Sequence, residues 1–406
     1  MNTSAPVPPR TSPRMAVVVS CIALFTDMLV YGILIPLLPL MPAVERAGSS
    51  ATGLLFAAYA AMMIAATPLA GRLVDRRGPR GPLLVALLGL AAACLLFAVG
   101  GPYWLLLVSR LLQGAVAGLG WVASLALIAA AIPLERRGAC LGLAMSMVSV
   151  GTLVGPPLAG WLARDHGHAA PFVLAAAVLV VDGVLRIIFV RPTPPQTDDP
   201  ATALDVLRVR GSWSVVVLIA LGSAITSAIE PVLPVRLAVG LGLDTAGIGL
   251  LFTLLVVIGA GLNPMVGAAL SRVSPRLLAL GGAALAAAGL VLVGTGSRLP
   301  VVIAGIACLG AAIAFLVAPA STLISVQGAR TTPPALGGAY SLYNLAYAAG
   351  LTAGPALAGV LTSVLGYPAA CTVLAAGVAV VAFGGLGQLP RRLPAPEADG
   401  SQSLSR

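Results

Sequence analysis

The sequence is poor in charge and contains no lysine. Only 9% of its 406 residues are charged, against roughly 25% in a soluble globular chain. So few charges cannot cover a soluble protein of this size, which excludes that class unless lipid is the solvent for most of the surface. All 23 basic residues are arginine, and the formal charge is +10. On a soluble chain that excess points to nucleic acid. Here the arginines fall between apolar runs, so they set membrane topology and no nucleic-acid partner is expected. Cysteine is also scarce. Cys21, Cys94, Cys140, Cys308 and Cys371 are scattered, and no pair has metal or redox spacing. The two histidines, His166 and His168, share a short loop with Asp165, so neither a metal site nor a cofactor is expected.

What the chain has is long hydrophobic runs. Hydrophobic residues make up 59% of it, and mean hydropathy is +1.03. The first run, from Met15, is too long for a signal peptide and lacks a small-residue cleavage site after it, so it reads as retained. A helix needs about 20 apolar residues to cross the bilayer core. By that rule spans fall near 15–40, 51–71, 82–100, 103–130, 139–163, 171–190, 212–236, 245–270, 277–296, 300–326, 335–365 and 367–388. Two of the breaks, Gly100-Gly101-Pro102 and Gly366-Tyr367-Pro368, carry no charge and are read from Gly/Pro punctuation alone. With a cytoplasmic N-terminus, eighteen arginines lie inside and four (Arg46, Arg164, Arg236 and Arg298) outside, with Arg110 within a span. The positive-inside rule then places both termini in the cytoplasm of a multi-pass plasma (inner) membrane protein.

The second half repeats the first. IPLLP at 35–39 returns as EPVLP at 230–234, GRLVDRRG at 71–78 as GAALSRVS at 267–274, and GTLVGPPLAG at 151–160 as GLTAGPALAG at 350–359. The offsets of 195, 196 and 199 residues are nearly constant. They argue for duplication of a six-helix unit, the parallel repeat of two-bundle transporters. The expected organisation is a tail at 1–14, a bundle at 15–190, a cytoplasmic linker at 191–211, a second bundle at 212–390 and a polar tail at 391–406. A monomer in the bilayer is expected.

Charge inside the membrane is the sharpest signal, because each such group costs roughly 2.5–3.5 kcal/mol at a helix centre on insertion scales. Asp27, Arg110, Asp182, Arg186 and Glu230 qualify. Asp27 is twelve residues into the first span, roughly 18 Å deep at 1.5 Å per residue. Arg110 lies seven residues into a span descending from outside, so an Asp27–Arg110 interaction is compatible with both depths. Burial favours the neutral form of a carboxylate, which suits Asp27 to carrying protons. Structural and functional roles weigh equally for Arg110. Glu230 precedes Pro231 and has no basic residue within its span before Arg236. An unpaired acid there is expected to face a water-filled cavity and bind a proton or cation. Asp182 and Arg186 are four apart on one helix and read as a structural pair.

The loop GRLVDRRGPR at 71–80 (Gly71, Asp75, Arg76, Gly78) offers a tight turn and a charge cluster beyond topological need. GTLVGPPLAG sets Gly151, Gly155 and Pro156 in one helix, echoed by Gly350, Gly354 and Pro355. Small residues four apart permit close helix packing and proline bends the helix, so packing alone would explain the motif. Tyr340, Tyr343, Asn344 and Tyr347 share a face of the eleventh span, and Tyr31 lies one turn above Asp27. Tyr59, Trp121 and Asn263 are further candidates for a cavity. Aromatic rings beside an acid suit organic cations through cation–π contact, while ordinary packing accounts equally well for any single ring.

With these residues assembled, the sequence resembles the major facilitator superfamily, specifically its twelve-helix drug:proton antiporters. GRLVDRRGPR is similar to the signature loop after the second helix, SRLLQGAVAG (109–118) to the fourth-helix motif, and GTLVGPPLAG to the antiporter motif of the fifth. TDMLVYGILIPLLP (26–39), GLLFAAYA (53–60), VVDG (180–183), IEPVLP (229–234) and YSLYNLAYAAGLTAGP (340–355) resemble the vesicular monoamine and acetylcholine transporter branch and its bacterial relatives. The resemblance implies an all-α major-facilitator fold. It also gives Asp27 and Glu230 a part in amine recognition or proton coupling. The chain departs from the monoamine branch at Tyr59, where that branch has lysine, and at Asn344, where it has aspartate. No counterpart of its tenth-helix aspartate occurs in AAIAFLVAPAS (311–321). These departures reduce the coupling set to Asp27, Glu230 and Arg110.

The expected function is a proton-coupled antiporter that exports cationic or neutral amphipathic compounds by alternating access, as a bacterial multidrug exporter does. A sugar or metabolite importer on the same fold is the alternative. The partners are then a small-molecule substrate, protons and lipid. No span holds a Ser/His or metal-ligand set, so an enzyme is not expected.

Overall fold

A computed structural model describes residues 12–132, 134–189, 203–331, 336–386 and 389. Among them are twelve helices long and apolar enough to cross a membrane, in agreement with the spacing of hydrophobic runs.

The first six spans are α1 (Pro13–Leu37), α2 (Pro42–Arg77), α3 (Arg80–Val99), α4 (Tyr103–Ala131), α5 (Leu134–His166) and α6 (Ala170–Phe189). A short helix, α7 (Ala203–Arg208), follows. It lies in the stretch expected to be a plain linker, and it is docked there. Val206 is fully buried, and its carbonyl accepts a 2.7 Å hydrogen bond from Ser212 Oγ. The seventh span is broken. It consists of α8 (Ser212–Ala228), a turn at 229–232, α9 (Leu233–Val235) and a π-helical turn Arg236–Gly240. The remaining spans are α10 (Thr245–Ala269), α11 (Pro275–Thr295), α12 (Leu299–Ala329), α13 (Leu336–Leu365) and α14 (Tyr367–Gly385).

Local chemistry sets the boundaries. Ser12 caps α1 by accepting from the Met15 amide, with Pro13 in the first turn. Asp244 caps α10 through the Gly247 amide at 2.8 Å. Each cap satisfies a backbone donor that the helix leaves unpaired. The uncharged break after α3 works because Gly100 and Gly101 adopt φ of 68° and 106°, conformations open to glycine. Large apolar side chains such as Val99, Trp104, Ile188, Val364 and Phe383 stay exposed along the spans. That surface suits hydrocarbon rather than water.

The duplication is visible in the packing. Within the first unit α5 lies against α1: a Cβ at Gly155 would sit 2.7 Å from Gly32 Cα. Within the second unit α13 lies against α8 in the same way, with Gly350 against Ala220 and Ser223, and Gly354 against Ala224 and Ser227. Hence Gly151, Gly155, Gly350 and Gly354 serve close helix approach, and Pro156 and Pro355 lie inside their helices.

The two units meet at the end remote from the chain termini. The start of α2 packs on the end of α13, where Gly53 abuts the Pro355 carbonyl and Ser50 Oγ lies 2.7 Å from Ser363 Oγ. The end of α5 meets the start of α10, where Thr245 Oγ1 donates to the Gly160 carbonyl at 3.2 Å. In the loop after α2, Gly78 supplies the turn at φ 72°. Gly71, by contrast, sits within the helix, and among the described residues a Cβ there would meet nothing within 4 Å. Arg76 is exposed, and the side chain of Asp75 lies outside the described residues.

Candidate functional site

Glu230 sits where the seventh span breaks. Pro231 has no amide to give a helical bond and Pro234 follows, so α8 stops at Ala228 and the carboxyl is turned inward from the gap. It is buried, 4% exposed, yet not alone. Tyr31 Oη of α1 donates to Glu230 Oε2 at 2.6 Å, across the boundary between the units. Glu230 thus differs from the expected unpaired acid. The hydrogen bond that offsets its burial comes from a neutral donor on the opposite bundle.

Arg110 lies on the first-unit side of the same cluster. It is fully buried, with Nε donating to the Leu55 carbonyl at 3.1 Å and Nη1 to Gln113 Oε1 at 2.8 Å. Its guanidinium stands 4.8 Å from the ring centre of Phe56, 5.1 Å from Tyr59 and 5.7 Å from Tyr31. Arg110 therefore pairs with a carbonyl, an amide and three ring faces, each an attractive partner for a buried cation. Glu230 lies within its electrostatic reach. The compatible Asp27–Arg110 pairing is not what forms: among the described residues no hydrogen bond joins the two.

Asp27 is buried, 7% exposed, and its Oδ1 has no hydrogen-bond partner among the described residues. It lines a small cavity of about 20 Å³, room for about one water molecule, whose other walls carry Thr26, Leu90, Trp121 and Arg186. The walls belong to α1, α3, α4 and α6, so this space lies inside the first unit. Asp27 and Trp121 accordingly share a chamber separate from the interface where Glu230 meets Tyr31. Arg186 enters that chamber while bonded twice to Asp182, with Nε to Oδ1 at 3.1 Å and Nη2 to Oδ2, both residues 2% exposed.

The aromatic candidates divide. Tyr59 is buried, and its ring lies 5.2 Å from that of Tyr31 at 46°. Tyr343 and Tyr347 stack at 6.2 Å and 11°, and Tyr347 lies within electrostatic reach of Tyr31, Tyr59 and Glu230. Tyr340 and Asn263 are exposed, and Asn344 is half-buried. The sequence reading missed Gln113 and Phe56. Gln113 follows Arg110 by three residues in SRLLQG and Phe56 precedes Tyr59 by three in GLLFAAYA, so the helical spacing that joins neighbours on one face could have found both.

A broken helix with a buried acid at the gap, placed between two duplicated six-helix units, is the arrangement of secondary transporters. The family model of the Major Facilitator Superfamily matches residues 20–330. The chain belongs to the Major Facilitator Superfamily. The curated relatives it matches are transporters, not enzymes. Over 198 residues it is 35% identical to the "Probable vesicular acetylcholine transporter-B" of Danio rerio, a match covering 47% of this chain and 40% of that one. Over 331 residues it is 28% identical to the "Chromaffin granule amine transporter" of Rattus norvegicus, covering 78% of this chain and 61% of that one. The matches thus take in less than two thirds of these relatives' own lengths. Among solved structures, a POT family transporter in complex with 5-aminolevulinic acid superposes with a TM-score of 0.75 at 14% identity, over 90% of this chain and 94% of that one. That likeness speaks to the fold alone.

Proposed function

We propose that the protein is a proton-coupled antiporter that expels cationic or neutral amphipathic small molecules by alternating access. The observation carrying this reading is the Tyr31–Glu230 hydrogen bond, a titratable group held between the two units. An ionised Glu230 attracts a cationic cargo and accepts strongly from Tyr31. A protonated Glu230 does neither as well. Loading a proton therefore releases cargo and loosens one tie between the units. The stacked Tyr343 and Tyr347 offer ring faces to a flat or cationic compound. The amine-transporter relatives favour a cation over a sugar as cargo.

With both termini in the cytoplasm of the plasma membrane, as the arginine bias argues, the end sealed by Gly53, Pro355 and Thr245 is extracellular. Each proton entering down the potential then supplies about 2.3 kcal/mol per 100 mV. We take a monomer in the bilayer as the working unit. The test is uptake of ethidium and neutral drugs into proteoliposomes under an imposed pH gradient. Wild-type protein should move ethidium against its gradient, and Glu230→Gln should not. Uptake of ethidium that ignores the pH gradient would leave a facilitated importer as the better reading.

A further inference from the structure

The chamber around Asp27 raises a question of access. Its walls are α1, α3, α4 and α6, so this acid lies off the boundary where Glu230 meets Tyr31. Yet Asp27 is buried with an unpartnered oxygen, a costly arrangement for a group without a task. Two tyrosines lie within electrostatic reach of Glu230. Tyr31 is four residues further along α1 than Asp27, one turn up on the same face, and its hydroxyl donates to Glu230. Tyr59 of α2 reaches the same place from the side, its ring 5.2 Å from that of Tyr31. The Tyr59 hydroxyl is buried with no partner among the described residues. Buried tyrosine hydroxyls ordinarily have one, and Asp27 acts on this hydroxyl electrostatically. The other charged or titratable groups around Asp27 are Cys94 of α3, Arg110 of α4 over both tyrosine rings, and the self-paired Asp182 and Arg186 of α6. From α5 comes Cys140, and it faces Cys21.

We infer that Tyr59 and Tyr31 relay a proton between Asp27 and Glu230, making the two acids one coupled unit. The inference rests on the proton-coupling reading above. In the transfer, the O–H bond of the Asp27 carboxyl breaks and its proton passes across a bridging water to the Tyr59 oxygen, because the Tyr59 hydroxyl and Asp27 Oδ1 have no direct partner among the described residues. The original Tyr59 proton passes to the Tyr31 oxygen, directly or across one bridging water, and the original Tyr31 proton forms the new O–H bond on Glu230. Each tyrosine ends with one proton, Asp27 ends ionised and Glu230 neutral. The Arg110 guanidinium over both rings steadies the negative charge that develops on either phenol oxygen.

The test is Tyr59→Phe, which removes one hydroxyl and keeps the ring. Purified protein in proteoliposomes is given ethidium under a pH gradient, and transport is normalised to bound ethidium. Transport per bound ethidium should fall about a hundredfold, the low end of what loss of a proton-transfer group costs. An unchanged ratio overturns the relay. Should that variant not fold, Asp27→Asn carries the test: proton release on ethidium binding should be lost although Glu230 is intact, and retained release overturns the relay. The coupling reading falls separately, through normal proton release by Glu230→Gln.

Discussion

Tyr31 and Glu230 are 199 residues apart in the chain and 2.6 Å apart in the fold, joined by one hydrogen bond between the two six-helix units. A bond of that kind is strong while the acceptor is a carboxylate and weaker once it is a carboxylic acid. Tyr31→Phe should therefore cost about 1.5–3 kcal/mol of stability where Glu230 is ionised and about 0.5–1.5 where it is protonated. The sign follows: the deficit of the variant relative to wild type grows as pH rises. Thermal melts of both proteins across a pH series check this, and a pH-independent difference would speak against a titrating Glu230.

The seal at the far end must open for cargo to leave. Ser50 Oγ and Ser363 Oγ are 2.7 Å apart, close enough for the paired substitution Ser50→Cys/Ser363→Cys to form a disulfide. With the native cysteines replaced, oxidation of this pair should arrest transport and reductant should restore it. Transport that continues through the cross-linked protein would contradict alternating access at this interface.

The Asp182–Arg186 pair is 2% exposed on both sides. Removing one partner strands the other, so Arg186→Ala should destabilise the fold by about 3–5 kcal/mol. The neutral double variant Asp182→Asn/Arg186→Gln leaves no stranded charge and should recover most of that loss. Denaturation midpoints of the three proteins read the difference directly.

Much of this architecture was legible in the sequence because the membrane enforces simple rules. Twelve apolar runs, the arginine asymmetry and the recurring phrases gave the spans and the two units. GTLVGPPLAG and its echo announced close packing of their own helices, but not that the partners would be α1 and α8. The pairing of buried groups was less legible. Depth along a helix allowed Asp27 and Arg110 to meet, but depth does not fix the direction a side chain takes around the helix axis. Arg110 turned to Gln113 and three rings, and Asp27 turned into a chamber walled by α3 and α6. Tyr31 was read as a cavity residue near Asp27. Its bond to Glu230 depends on how the second unit docks on the first, and no local periodicity encodes that. Trp121 was likewise read as a cavity residue, and it lines the space beside Asp27.

The account stands most directly on proton release from Glu230. Ethidium added to weakly buffered, detergent-purified protein should release protons that a pH-sensitive dye detects, and Glu230→Gln should bind ethidium without releasing them. Equal release from the variant and the wild type would contradict the claim that this carboxyl is where cargo and proton exchange.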